Sequence, residues 1–249
     1  MGNKFRTHVQ GESLQKKIDE DVETYWGIWF FFVAFFLLTV FCWLFYFKVF
    51  DADFVFAVVF SIFTGIIFVH GIWKSRKLLR HARNCHKGME GERLVGEILN
   101  KLSDDSTRVF HDVCGDAFNV DHLIISTRGI FTIETKHYDR KHGHKFLFQG
   151  GKVLFNGRKC MSLLNQMDGE ASFIQEKLET LCGRRYPVQK VAVIIGAFIE
   201  NPGKDFSKYW ILNENSFPKF FENSKVVLTI EEVRSLAMQV TEWLKVSVD

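Results

Sequence analysis

Cysteines that could form a disulfide framework or a zinc ribbon are scarce in this 249-residue sequence. There are five, an odd number, and they are far apart, with no Cys-x-x-Cys pair: Cys42, Cys85, Cys114, Cys160 and Cys182. This usage excludes both frameworks and is typical of a reducing compartment such as the cytoplasm. The chain also lacks internal repeats and, outside its hydrophobic runs, low-complexity tracts.

Charge is absent from two long segments near the N-terminus. Residues 26–47 and 54–73 are uncharged runs of 22 and 20 residues, the second interrupted only by His70. At about 1.5 Å per residue each run extends roughly 30 Å as a helix, which is the thickness of the hydrocarbon core of a bilayer. The sequence therefore predicts a transmembrane helical hairpin over 26–73. A signal peptide does not fit, because the first run follows an acidic stretch and lacks a small-residue cleavage site.

Lysine and arginine flank this hairpin unevenly. Residues 74–87 contain six cations and no acid, whereas the turn between the runs has Lys48 against Asp51 and Asp53. The positive-inside rule then predicts a multi-pass protein of the cytoplasmic (inner) membrane, with both termini in the cytoplasm. The cations of 74–87 can also contact anionic headgroups of the lipid bilayer. His70 is either an interfacial side chain or a site in the membrane, and we favour the first.

The remaining chain divides into an N-terminal cytoplasmic segment (1–25), a basic juxtamembrane segment (74–87) and one domain of ordinary size (88–249). That domain has 21 Lys and Arg against 22 Asp and Glu, so the overall charge of +3 is not evidence for nucleic-acid binding. Its charge is uneven, however. Residues 136–159 have seven cations against Asp139 alone, which indicates either a local nucleic-acid surface or a solvated loop. Besides Lys136 these cations are Arg140, Lys141, Lys145, Lys152, Arg158 and Lys159.

Hydrophobic periodicity in the domain alternates between helix and strand. Apolar spacing after Gly88 predicts a helix that ends before Ser103, and Thr229 and Glu232 form a capping box for a C-terminal helix to about Lys245. Between them we predict a hairpin (119–126 with 130–137), a second hairpin (145–149 with 152–155), a helix (160–182) and a buried strand (188–195). This order predicts an α/β fold with a mixed central sheet.

The first hairpin places three charged side chains together. If its turn has two or four residues, Ile125 faces Ile130 and Asp121 lies opposite Glu134. Lys136, two residues after Glu134, points to the same side. Two facing carboxylates suit Mg²⁺ or Mn²⁺. The alternative is a cluster of two acids and a lysine that balances its own charge.

Three sequence segments together resemble a known family. They are G-M-E-G-E from Gly88, N-V-D-H-L-I-I-S-T-R-G-I-F-T-I-E-T-K from Asn119, and the N-Q pair that ends at Gln166. The pattern is similar to the nuclease-related domain called NERD, in the PD-(D/E)xK nuclease-like group, and covers roughly 88–195. The resemblance implies a restriction-endonuclease-like sheet flanked by helices. The proline of the PD dipeptide is absent, because Val120 precedes Asp121.

The resemblance also implies roles for single residues. Asp121 and Glu134 resemble the metal-binding acids, and Glu92 resembles an extra acid that a helix supplies to the metal. Lys136 resembles the lysine that orients the attacking water, and Gln166 the glutamine of the following helix. The implied cofactor is Mg²⁺ or Mn²⁺. Glu92 can equally be a favourable acid in the first turn of a helix, and Gln166 a solvated polar residue.

Two functions follow as expectations. The first is a membrane-anchored, metal-dependent nuclease that hydrolyses phosphodiester bonds of nucleic acid, with DNA preferred over RNA as the expected partner. The second is a non-catalytic module of nuclease-like fold that binds nucleic acid or protein at the membrane. A transporter is disfavoured, since two Phe-rich helices offer no polar pathway unless the chain forms a homo-oligomer, which the sequence leaves open. The sequence does not explain 1–25 or 200–228.

Overall fold

The computed structural model describes residues 12–48, 54–115, 119–140, 143–201, 203 and 206–246. The turn between the two hydrophobic runs and the predicted nucleic-acid contact Lys141 therefore lie outside the described residues. The chain divides into two compact units, one formed by Leu14–His86 and one that contains Lys87–Asp249.

The first unit is a pair of long helices, α1 (Glu12–Lys48) and the first part of α2 (Phe54–Lys101). Polar side chains join them: the Oγ1 atoms of Thr39 and Thr64 lie 2.6 Å apart, and Trp43 Nε1 donates to Ser61 Oγ at 2.9 Å. Large apolar side chains point outward along both helices, among them Phe30 at 73% exposure. By length and composition, both helices can cross a membrane.

Helix α2 does not end at the basic segment but continues to Lys101. The prediction of a separate helix that begins near Gly88 was therefore wrong, and residues 88–101 are the last turns of α2. No proline interrupts 74–101, and a glycine inside a helix costs only about 1 kcal/mol relative to alanine. The glycines of the G-M-E-G-E segment consequently lie inside a helix.

The second unit contains a five-stranded sheet with the order β1-β2-β3-β7-β9. Strands β1, β2 and β3 are antiparallel, whereas β3, β7 and β9 are parallel, so the sheet is mixed, as predicted. The bounds are β1 Thr107–Cys114, β2 Asn119–Ser126, β3 Gly129–His137, β7 Val188–Ile195 and β9 Tyr209–Asn213.

A four-stranded sheet with the order β6-β5-β4-β8 lies in the same unit. The predicted second hairpin forms its centre, as β4 (Lys145–Gln149) and β5 (Lys152–Phe155). The short strands β6 (Arg158–Lys159) and β8 (Phe198–Glu200) complete it. Strand β9 and the short helix α4 (Phe217–Glu222) lie in the region for which the sequence made no prediction, and β8 ends where that region begins.

Helices cover both faces of the five-stranded sheet. Helix α3 (Met161–Cys182) and helix α5 (Ile230–Val246) pack on one face, where Leu123, Ile125 and Ile174 share a buried core. The end of α2 and helix α4 pack on the other face, through Leu99 and Phe221. The predicted α/β class is thus confirmed. The capping box is also present, since Glu232 N donates to Thr229 Oγ1 at 3.2 Å and Thr229 N to Glu232 Oε2 at 2.9 Å.

Candidate active site

The β2–β3 hairpin has the register that the sequence predicts. Its turn contains two residues, and Ile125 pairs with Ile130. The ladder ends at the pair His122–Ile133. One residue further, Asp121 Oδ2 accepts a hydrogen bond from the backbone N–H of Thr135 at 2.8 Å. This contact fixes the Asp121 carboxylate at the end of the hairpin, beside the Glu134 position.

Glu134 is the centre of a hydrogen-bonded group. Its side chain is 2% exposed. Its Oε1 accepts from Lys136 Nζ, and its Oε2 accepts from Gln166 Nε2 at 2.7 Å. Lys136 Nζ also donates to Gln166 Oε1 at 3.3 Å. Strand β3 and helix α3 thus bring three of the predicted site residues into direct contact.

The charges of this group shift its pKa values. Burial, followed by the charges of Glu134 and Glu92, raises the pKa of Asp121 well above its usual value. Burial alone lowers the pKa of Lys136, but the charge and hydrogen bond of Glu134 outweigh it, and the net pKa is raised. Carboxylates that are held together without enough positive charge respond in this way. The carboxyl group of Asp121 therefore holds its proton more tightly than an exposed acid does.

Glu92 reaches this region from α2 rather than from the start of a helix. Its reading as a first-turn acid is wrong, because α2 begins 38 residues earlier, at Phe54. The preceding Gly91 explains its position: a Cβ on Gly91 would lie 2.7 Å from His137 Cβ. Only a glycine lets this turn of α2 approach the end of β3 so closely. The half-buried Glu92 is near enough to affect the pKa of Asp121.

Glu170 is an acid of this region that the sequence analysis missed. It lies on α3 and is 1% exposed, and neither carboxylate oxygen has a partner at regular hydrogen-bond geometry among the described residues. Burial, followed by the charge of Glu134 and a hydrogen-bond interaction with it, raises the pKa of Glu170 to about 10, so Glu170 lies close to Glu134. A signal was present in the sequence, since Glu170 follows Gln166 by four residues and so shares its helix face.

The donor set can be compared with the needs of a divalent cation. Among the residues described, no three His, Cys, Asp or Glu side chains are grouped so that they could hold a metal ion. Both oxygens of Glu134 accept hydrogen bonds instead, and the Lys136 ammonium is the cation that this acid contacts. The chemistry of the donors nevertheless fits Mg²⁺ or Mn²⁺, because all are carboxylate oxygens and those of Glu170 are buried and unpartnered.

The predicted basic surface is only partly available. Arg140 forms an ion pair with Glu214 at 2.9 Å, and Lys145 with Glu200 at 3.7 Å. In the part of the chain that the structure describes, no acid forms an ion pair with the exposed cations of β5 and β6. These are Lys152, Arg158 and Lys159.

An aromatic contact connects the end of β3 to the sheet that carries these cations. Tyr138, two residues after Lys136, packs with its ring centroid 5.3 Å from that of Phe146 and 4.9 Å from that of Phe155. The basic strands and the acid group consequently belong to one packed unit.

Comparisons with known proteins agree with this geometry. Residues 87–195 match NERD, the nuclease-related domain. An uncharacterized protein of Bacillus anthracis is 41% identical over 58 residues, which are 21% of this chain and 27% of that protein. The chain thus spans about a quarter of the length of this curated relative. No solved structure matches the chain. The matched residues 87–195 contain the whole acid group, so the similarity to a nuclease-related domain covers the candidate site.

Proposed function

We propose that this chain is a membrane-attached nuclease that depends on a divalent metal and hydrolyses phosphodiester bonds of nucleic acid, with DNA as the first substrate to test. One observation carries the proposal. Asp121, Glu134, Lys136 and Gln166 lie together at the end of the β2–β3 hairpin, inside a segment that matches a nuclease-related domain.

The chemistry follows from the side chains. Asp121 and Glu134, with Glu92 beside them, would hold Mg²⁺ or Mn²⁺, which supplies an acidic water and neutralises charge on the phosphoryl oxygens. Gln166 fixes the orientation of the Glu134 carboxylate through its 2.7 Å hydrogen bond. Lys136, 34% exposed, presents a positive charge at the solvent side of the site. Such a fixed charge stabilises the anionic transition state of phosphodiester hydrolysis.

The cations of residues 136–159 would bind the phosphate backbone. Lys152, Arg158 and Lys159 have the largest expected contribution, since the described acids leave them unpaired. Arg140 and Lys145 must exchange their ion pairs with Glu214 and Glu200 for phosphate contacts. Binding through such contacts weakens steeply as salt rises. We expect the Lys152→Ala, Arg158→Ala and Lys159→Ala variants to reduce the salt dependence of binding.

The test is cleavage by the full-length chain in detergent, with a panel of DNA and RNA substrates. Wild-type protein should cleave in Mg²⁺ or Mn²⁺ and not in a chelator. Asp121→Asn and Lys136→Ala should each reduce the rate by about 100-fold or more. Glu176→Gln, an exposed change on α3, is the matched control. Equal rates for wild type and both site variants would show that any cleavage arises elsewhere.

A second candidate function is a non-catalytic module that binds nucleic acid or protein at the membrane. The hydrogen bonds that occupy both oxygens of Glu134 favour it, because they balance this acid without a metal. It predicts salt-dependent binding without cleavage, and binding that survives Glu134→Gln. The same substrate panel separates the two functions.

Membrane attachment is the remaining part of the proposal. Its support is the length and outward apolar surface of α1 and α2, together with the six cations of 74–87. These cations favour a cytoplasmic location for the nuclease-related domain. The protein should stay with membranes after carbonate extraction, and protease should degrade the domain in inside-out vesicles only. Release by carbonate, or digestion in right-side-out vesicles, would contradict this part.

A further inference from the structure

Glu170 lies where stability alone favours an apolar side chain. The buried stripe of α3 around it consists of Met167, Ala171 and Ile174. A buried polar group without a hydrogen bond costs about 1–3 kcal/mol, and a charged group costs more. Neither oxygen of Glu170 has a hydrogen-bond partner among the described residues. Within the cores of the second unit, this acid therefore needs an explanation other than packing.

The position of Glu170 relates it directly to Glu134. Residues four apart on a helix lie one above the other on the same face, and Gln166, four residues before Glu170, contacts Glu134 Oε2 at 2.7 Å. Glu170 also senses the charges of Glu134 and Asp121, both of which raise its pKa. The unpartnered carboxylate thus belongs to the same group of acids.

We propose that Glu170 is a third carboxylate ligand of the divalent cation, together with Asp121 and Glu134. This inference rests on the proposed metal-dependent function and adds a ligand that the sequence pattern does not supply. Charge balance supports it. Asp121, Glu134 and Glu170 carry three negative charges, and Lys136 with one divalent cation supplies three positive charges. The charge of Glu92 comes in addition, on a side chain that is only half-buried. Burial of an unbalanced charge is strongly unfavourable, so the ligand set is consistent with the burial of Glu134 and Glu170.

A purely structural role for Glu170 makes a different prediction. In that case the protonated acid fills space beside Glu134, and glutamine, which has nearly the same shape, should replace it without effect on metal affinity. A ligand cannot be replaced in this way, because a neutral amide is a much weaker donor to Mg²⁺ or Mn²⁺ than a carboxylate.

The experiment is Mn²⁺ binding to the full-length chain in detergent, without nucleic acid, measured by the electron paramagnetic resonance signal of free Mn²⁺. Glu170→Gln and Asp121→Asn should each raise the Kd at least about tenfold. Glu176→Gln should leave the Kd unchanged. A Mn²⁺-dependent rise in Tm, large for wild type and small for Glu170→Gln, shows in parallel that the variant is folded. Glu170→Asp, which keeps the charge, should bind with intermediate affinity and is the second variant.

The outcomes separate this inference from the proposed function. Wild-type affinity in both Glu170 variants, with weaker binding in Asp121→Asn, overturns the Glu170 assignment and leaves the metal site at Asp121 intact. A wild-type chain that binds no Mn²⁺ overturns both. Weaker binding in Glu170→Gln and Asp121→Asn, but not in Glu176→Gln, supports the three-carboxylate site whether or not the chain cleaves a given substrate.

Discussion

Helix α3 carries two acids, Asp168 and Glu170, whose surroundings are opposite. Asp168 has a side chain that is 39% exposed. It nevertheless accepts hydrogen bonds from Tyr209 Oη, at 2.8 and 3.0 Å, and from Lys190 Nζ. Burial alone would raise the pKa of Asp168, but the hydrogen bonds of Lys190 and Tyr209 lower it. Glu170 is 1% exposed and has a raised pKa, and neither of its oxygens has a partner at regular hydrogen-bond geometry in the part of the chain that the structure describes.

Solvation predicts the reverse distribution of partners. An acid in contact with water needs protein partners least, and a buried acid needs them most. Asp168 therefore contributes to the fold, because it ties α3 to strand β7 and to the edge strand β9. Glu170 makes no comparable connection between elements among the described residues. The difference separates a structural acid from one whose carboxylate is available to a ligand.

The contrast between Glu170 and Asp168 is tested most strongly by removing each charge and measuring the rate of nucleic-acid cleavage. We expect Glu170→Gln to lower the cleavage rate by about 100-fold, because it removes a proposed metal ligand. Asp168→Asn should change the rate by less than about threefold, since Asp168 is bonded to Lys190 and Tyr209 rather than to the acid group. Rates are compared at saturating and at low Mn²⁺. Equal losses in both variants would mean that both act through the fold.

Two helical glycines test the surroundings of the acids. Gly91→Ala should destabilise the protein by about 1–3 kcal/mol, because the new Cβ would lie 2.7 Å from His137 Cβ. Gly169→Ala, between the two acids of α3, places its Cβ in open space and should stabilise by about 0.5–1 kcal/mol. Urea unfolding followed by tryptophan fluorescence measures both. If Gly91→Ala also raised the free energy of unfolding, α2 would not depend on close contact with β3.

A half-buried and a buried imidazole, on the opposite face of the sheet, extend the comparison to bases. The Nδ1 atoms of His111 and His122 lie 2.8 Å apart, and His111 Nε2 lies 3.0 Å from Asn100 Oδ1. Burial lowers the pKa of His111 to about 4; burial, followed by the charge of His111, lowers the pKa of His122 to about 3. The neutral imidazoles are thus partnered through both Nδ1 atoms, whereas His122 Nε2 is buried without a hydrogen-bond partner among the described residues.

The sign of the resulting pH dependence follows from these values. In the unfolded chain a histidine has a pKa of about 6.5, so below that pH the unfolded state binds protons that the folded state does not. The contribution of these histidines should be complete above about pH 6.5 and fall as the pH decreases toward 4. Glu170, whose pKa is raised to about 10, contributes a slope of the opposite sign. Urea midpoints between pH 7.5 and 5 measure the slope, which His122→Leu should reduce and exposed His86→Gln should not. A slope that His122→Leu leaves unchanged would assign it to other groups.

The parts of the fold that sequence predicts well are those with a strict local code. The register of the first hairpin follows from a two-residue turn and the alternation of side chains, so one pair, Ile125 with Ile130, determines the rest. The capping box at Thr229 is similarly local. Strands β8 and β9 were missed because they are short and pair in parallel with distant strands. Their hydrogen bonds leave no periodic signal nearby.

The sequence predicted the part of the candidate site that lies on the sheet, and it misplaced or missed the acids that lie on helices. Asp121, Glu134 and Lys136 lie on one hairpin, and their common side follows from the strand period. Glu92 was placed on the wrong kind of helix position because nothing local shows that α2 continues through Gly88. Glu170 required knowledge of which face of α3 is buried. Its place among Met167, Ala171 and Ile174 was the available signal, a lone acid in an apolar stripe.

The smallest predicted effect is the change in stability caused by Asp168→Asn. Asp168→Asn should cost about 1 kcal/mol or less, because its ion pairs with Lys190 and Lys208 are partly exposed and screened, while asparagine can still accept the hydrogen bond of Tyr209. The loss in Tm should shrink further at 1 M salt. Glu170→Gln, measured without metal in the same experiment, should not lower Tm, since it replaces a buried unpartnered acid with a neutral amide. A larger loss for Glu170→Gln than for Asp168→Asn would mean that Glu170 holds the fold together, and the contrast between the two acids of α3 would then disappear.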